Sequence, residues 1–322
     1  MKITKHAIAE AFEQITPFIR RTPVIDIEID GLDAPIVLKL EQLQHSGSFK
    51  VRGAFASLLG VDVARAKVPS AGVAAASGGN HGAAVAYVAG VLNIPAKIFV
   101  PQISAPAKIA KIKSYGADVV VDGENYGAAL ANCEAYIEQT GAMSLHAYDA
   151  PRTIIGQGTL AAEFETQVLA HKLGSVDSVL MAVGGGGLIG GAAAWYQSAV
   201  NLVGVESQGC PTLHNALEAG ERVRITPSGL AADSLGASVI GELSFPLAQE
   251  YVSSVKLVSD DDIARAQKYL WEHLRLVSEP GGATAFAAVL SGAYQPQADE
   301  RVGVVVCGSN TDLGSFGESI DG

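Results

Sequence analysis

Apolar positions along the chain recur with two periods. In residues 4–19, Ile8, Phe12, Ile15 and Ile19 fall three or four apart, which predicts an amphipathic helix stopped by Arg21-Thr22-Pro23. From Ile36-Val37-Leu38-Lys39-Leu40 onward, short β-branched or apolar runs take over, at residues 73–76, 96–100, 119–121, 144–147, 178–183, 202–205 and 303–306. Ala-rich segments of helical character separate them. Strand and helix alternation at this spacing predicts an α/β fold with mostly parallel sheets. Ser259 before Asp260-Asp261-Asp262 marks the start of a further surface helix reaching about Leu274. Residues 67–97 and 177–206 contain no charged side chain between their ends, yet each is broken by a glycine cluster. They read as buried strand, tight turn and buried helix rather than membrane spans.

Composition narrows the function classes. The chain has 322 residues, 48% of them hydrophobic, enough for two domains with substantial cores. A formal charge of −11 argues against nucleic acid and anionic membranes as partners. Cys133, Cys210 and Cys307 lie far apart without metal-binding spacing, and no leader-like segment opens the sequence. A cytoplasmic protein is expected.

Three segments carry chemistry. In Ser48-Phe49-Lys50-Val51-Arg52-Gly53-Ala54, a lysine stands at a predicted strand-to-helix junction. It is either a surface ammonium on an apolar stem or an amine removed from water, whose neutral form attacks carbonyls. Ser77-Gly78-Gly79-Asn80-His81-Gly82 follows a strand and opens a helix, where free N–H groups suit a carboxylate or phosphate and where Asn80 could equally be a simple cap. His81 has no carboxylate or metal partner in the sequence and reads as an ordinary turn residue. Gly184-Gly185-Gly186-Gly187-Leu188-Ile189-Gly190 lets the backbone close on an anion. By itself, Gly185-x-Gly187-x-x-Gly190 also fits a dinucleotide loop, with Glu206 placed for a ribose, as in an NAD-dependent dehydrogenase.

Taken together and in order, these segments resemble the fold-type II pyridoxal phosphate (PLP) enzymes, in particular the threonine/serine dehydratase and serine racemase branch. The resemblance runs from about Arg21 to Asp312. It implies two open twisted, mostly parallel sheets flanked by helices, as in the tryptophan synthase β chain, with the cofactor in the cleft between a large domain (residues 1–70 and 148–322) and a small one (71–147). It implies Lys50 as the Schiff-base lysine and Phe49 packed on the cofactor ring. Asn80 would meet the ring hydroxyl, and Gly184, Gly185, Gly186, Gly187 and Leu188 the phosphate. Backbone groups of Ser77, Gly78, Gly79, Asn80 and His81 would hold the substrate carboxylate, Glu279 would line the pocket, and Cys307 would stand where the family puts a hydroxyl residue against the pyridine nitrogen. A weak thiol there leaves that nitrogen largely unprotonated and favours elimination. The family's divalent-cation site begins at Glu206, but Thr212 replaces its second acid, and one carboxylate makes a poor site for a hard cation. Lys108, Lys111 and Lys113 read as a solvated helix face, and Asp233 as a loop cap. The implied activity is dehydration and deamination of a small β-hydroxy amino acid, L-threonine or L-serine, by a homodimer without a C-terminal regulatory domain. Serine or aspartate racemisation is the alternative, weakened because Gly78 stands where racemases carry a serine.

Overall fold

Thr4 caps the first helix, α1 (Lys5–Ile15), its side-chain oxygen accepting the Ala7 N–H at 3.2 Å. The computed structural model describes residues 1–63, 68–170 and 174–321. The helix stops short of the expected Ile19 because Pro17 has no N–H to continue it, and Thr16–Phe18 make one 3-10 turn instead. The chain then forms β1 (Val24–Ile27), β2 (Ile36–Leu40) and α2 (Lys50–Val63). Next come β3 (Val73–Ala76), α3 (Asn80–Val91), β4 (Ala96–Val100), α4 (Pro106–Ser114), β5 (Asp118–Val121), α5 (Tyr126–Thr140) and β6 (Met143–Ser144). The four strands β3 to β6 build one parallel sheet in the order β5-β4-β3-β6.

After α6 (Pro151–Leu169) the chain returns to the first sheet with β7 (Ser178–Ala182), α7 (Gly187–Tyr196), β8 (Asn201–Ser207), α8 (Thr212–Ala219), α9 (Ala232–Leu235), α10 (Ser244–Tyr251) and β9 (Val252–Val258). It closes with α11 (Asp260–Leu274), α12 (Pro280–Leu290), β10 (Val302–Val306) and α13 (Leu313–Asp321). The larger sheet runs β1-β2-β10-β7-β8-β9, parallel except for β1. The last strand, β10, thus enters between β2 and β7, and the order reverses there. Such a switch point opens a crevice at the carboxyl ends of the strands. Lys50, Gly184 and Cys307 all follow the ends of strands that meet at it.

The two uncharged stretches fold as expected, into β3 with α3 and into β7, α7 and β8, although residue 67 lies outside the described residues. Among the described residues no helix is long and apolar enough to cross a membrane. The strand expected at 144–147 is cut to Met143–Ser144, and β9 was not foreseen.

A buried ionic cluster fixes the start of α2. Arg52, fully buried, bonds Glu41 through Nε at 2.5 Å and Nη2 at 3.1 Å, and Glu163 through Nη2 at 3.0 Å. Lys39 completes it, 2.5 Å from Glu163 and 2.8 Å from the Thr22 carbonyl. Two cations face two carboxylates, so the cluster is neutral overall, and it ties β2 and α6 to the helix that opens at Lys50.

Candidate active site

The side chain of Lys50 enters the crevice from the first residue of α2. Its Nζ donates to the Ala147 carbonyl at 3.0 Å and lies 5.1 Å from the centre of the Phe49 ring. Burial brings its pKa down to about 8, while Cys307 and Glu279 pull the other way. The Leu145 N–H still bonds the Ala74 carbonyl of β3 at 3.2 Å, but the pairing ends there, and the carbonyls of Leu145 and Ala147 serve His81 Nε2 at 2.8 Å and Lys50 Nζ. His81 is therefore a buried donor to the backbone, kept neutral by burial with a pKa near 3.

The glycine loop lines the same cavity as Lys50. Gly186 adopts φ +88°, and a side chain on Gly185 would overlap the ring of Tyr148. Only backbone fits there, and the first-turn N–H groups of α7, at Gly187, Leu188 and Ile189, have no intrahelical acceptor. An anion fits there. Cys307 lies in the same cavity. Its thiol donates to the Gly281 carbonyl at 3.4 Å and burial pushes its pKa to about 12, so it stays protonated.

The Ser77–His81 turn faces this cavity through Asn80, whose Nδ2 donates to Glu279 Oε1 at 2.5 Å. Burial lifts the Glu279 carboxyl to about 7, with the Asn80 bond acting against the shift. Ser77 Oγ accepts the Gly79 N–H at 3.3 Å, and the α3 turn begins at Asn80 with its N–H groups free of intrahelical partners. A second cavity adjoins the first, shares Asn80 and Glu279, and is walled by Gly78, Gly79, Lys108 and Lys111. Lys108 and Lys111 do not form the solvated face expected of them. Lys108 pairs with Asp233 and Lys111 bonds Asn310, both across the crevice, whereas Lys113 is exposed. Asp233 is correspondingly an ion-pair partner rather than a cap. Residues 108 and 111 are three apart and share a helix face, a signal the sequence carried. Tyr148 and Asn310 gave no such signal, because their roles depend on which loops meet.

Glu206 sits apart from the cavity. Its carboxyl accepts the Leu213 and His214 N–H groups at the start of α8, both at 2.8 Å, and meets Thr212 Oγ1 at 2.8 Å. Thr212 Oγ1 also lies 2.8 Å from the Gly184 carbonyl. The oxygens a cation would need are thus bonded to one another and to helix N–H groups, and this donor set does not fit a divalent ion. Neither is Glu206 free to bind a ribose, so the dehydrogenase reading loses its acid.

The residues of the Lys50 cavity do fit PLP: an amine, a glycine cradle for a phosphate, and neutral polar groups between. Comparison with known proteins agrees. Residues 15–308 match the model of the pyridoxal-phosphate dependent enzyme family. Phenylserine dehydratase of Ralstonia pickettii is 36% identical over 96% of this chain and 94% of its own. Maize serine racemase superposes with a TM-score of 0.90 at 30% identity, over 100% of this chain and 98% of its own. Serine racemase from Dictyostelium discoideum gives 0.86 at 32% identity, over 97% and 99%. With its two mostly parallel sheets and this cavity at the switch point of the larger one, the chain belongs to the pyridoxal-phosphate dependent enzyme family.

Proposed function

We propose that the protein is an ammonia-lyase that removes water from a small β-hydroxy amino acid, L-threonine or L-serine first, and releases a 2-oxo acid and ammonia. The observation that carries this reading is Lys50: an amine of lowered pKa in a cavity that the glycine loop also lines. PLP bound there supplies the electron sink into which the Cα–H bonding pair is drawn.

The chain's own residues do the rest. Gly184 to Leu188 hold the phosphate through backbone N–H groups, and the Ser77 to His81 turn holds the substrate carboxylate in the same way. Phe49, which lines the cavity beside Lys50, would pack on the cofactor ring. Lys50 in its neutral form would take the Cα proton at Nζ and give it to the departing hydroxyl, which leaves as water; a water molecule then hydrolyses the enamine product to the 2-oxo acid and ammonia. Cys307, a thiol at neutral pH, would give no charge to a pyridine nitrogen bound against it, which would favour elimination over deeper carbanion chemistry. Residues 71–147 act as the small domain. The protein works as a cytoplasmic homodimer, and its three cysteines are buried and free.

Gly78 separates this reading from racemisation. That position offers no acid or base, and a side chain added there would meet Ser104 Oγ at 2.7 Å. The test is an assay of PLP-loaded protein with L-threonine and L-serine. Equal amounts of 2-oxo acid and ammonia are expected, falling by roughly 10²–10⁴-fold in Lys50→Ala. D-serine formed without 2-oxo acid would overturn the reading.

A further inference from the structure

An amide side chain has a donor end and an acceptor end of nearly the same shape, and its direction is decided by partners able to play only one role. Asn310 has two such partners. Lys111 Nζ can only donate, and it bonds Asn310 Oδ1. The Ser46 carbonyl can only accept, and it takes a hydrogen from Asn310 Nδ2 at 2.8 Å. The remaining Nδ2 hydrogen goes to Asn80 Oδ1. That bond sets the second amide in turn. With its oxygen committed to Asn310, Asn80 turns its NH2 group toward Glu279 Oε1, 2.5 Å away, and toward the cavity that both residues line.

The chain of bonds joins four separate segments: α4 through Lys111, the loop after β10 through Asn310, the first turn of α3 through Asn80, and the residue before α12 through Glu279. We propose that Asn310 is a positioning residue, pinned by Lys111 and the Ser46 carbonyl, which fixes the Asn80 amide so that its NH2 rather than its oxygen faces the cofactor. The cavity then selects an acceptor oxygen on the bound group at that point. This rests on the reading of the cavity as the PLP site.

Asn310→Asp keeps the shape and removes the donor. The new carboxylate would confront the Ser46 carbonyl and Asn80 Oδ1 with acceptors only, and Asn80 would reverse to donate to it, turning its oxygen on Glu279 and the cofactor. PLP affinity is read by titration of visible absorption, together with the ratio of the absorption bands of the bound cofactor, which responds to hydrogen bonding at the ring oxygen. At least tenfold weaker binding and an altered band ratio are expected for Asn310→Asp. Lys111→Met, on a partly exposed helix face, loses one pin of two and should show a smaller change in the same direction.

Asn80→Ala supplies the control, since a residue acting through Asn80 can do no further harm once that amide is gone. Asn310→Asp in the Asn80→Ala background is expected to add less than twofold to the loss of PLP affinity. Additive losses, or wild-type affinity and spectrum in both Asn310→Asp and Lys111→Met, would overturn the proposal. Failure of the wild-type protein to bind PLP at all would instead strike the reading of the cavity, and the two failures are told apart by the wild-type titration.

Discussion

Lys50 shows how burial would prepare a single amine for the role proposed for it. An ammonium in water gives up its proton near pH 10.5, and here the value falls to about 8 because the charged form is poorly solvated. The reactive form is the neutral one, so its fraction rises about tenfold per pH unit up to 8 and then levels off. Capture of PLP by the apoprotein, followed by stopped-flow absorbance, should slow about tenfold per unit below pH 8 and be flat above 9. A rate still climbing at pH 10 would mean an ordinary, solvated lysine. His81 contributes nothing to such a profile in the neutral range, because its pKa near 3 keeps it uncharged. The sequence brought Lys50, Asn80 and Cys307 into view because each stands in a short motif that follows a strand. It did not bring in Tyr148, Asn310 or the inward turn of Lys111. Their partners lie far away in the chain, and no local period encodes that distance.

Elements hold these side chains at fixed positions. Helix α2 begins at Lys50, and Arg52 two residues later is clamped between Glu41 and Glu163, with no exposed surface. Arg52→Ala would leave two carboxylates buried with Lys39 alone, a change expected to cost about 3–5 kcal/mol in urea denaturation. A loss below ~1 kcal/mol, the range of surface pairs, would mean that the cluster is not what anchors the helix. The glycine loop makes a different demand. Gly185→Ala must push Tyr148 or the loop aside, so PLP should bind at least tenfold more weakly and the melting temperature should fall, overpacking of this kind costing about 1–3 kcal/mol. Thr212 and the α8 N–H groups already occupy Glu206, so adding magnesium or a chelator is expected to leave the melting temperature where it was. Most strands were legible from apolar runs bounded by glycine; two were not, for opposite reasons, and the short helices α8, α9, α10 and α13 went unmarked as well. Residues 144–147 look like a strand but give their carbonyls to Lys50 and His81, and β9, with Ser253, Ser254 and Lys256, is too polar to stand out as an edge strand.

At the scale of the whole molecule, two parallel sheets meet so that their strand ends and glycine turns surround one crevice. The smaller sheet contributes the Asn80 turn and α4, and the larger contributes Lys50, the glycine loop, Glu279 and Cys307. Lys108–Asp233 and Lys111–Asn310 bridge the two sides. α/β alternation was readable in the sequence, but the division into two sheets was implied only by the family resemblance, and their strand order was not, since insertion of β10 between β2 and β7 depends on pairing across more than a hundred residues. The central claim is that this crevice holds PLP covalently on one lysine among several nearby. Borohydride reduction of the PLP-loaded protein followed by peptide mass mapping tests it most directly. The account expects a single PLP-sized mass increase on the peptide containing Lys50; the same increase on Lys39, Lys108 or Lys111 peptides, or on none, would contradict it.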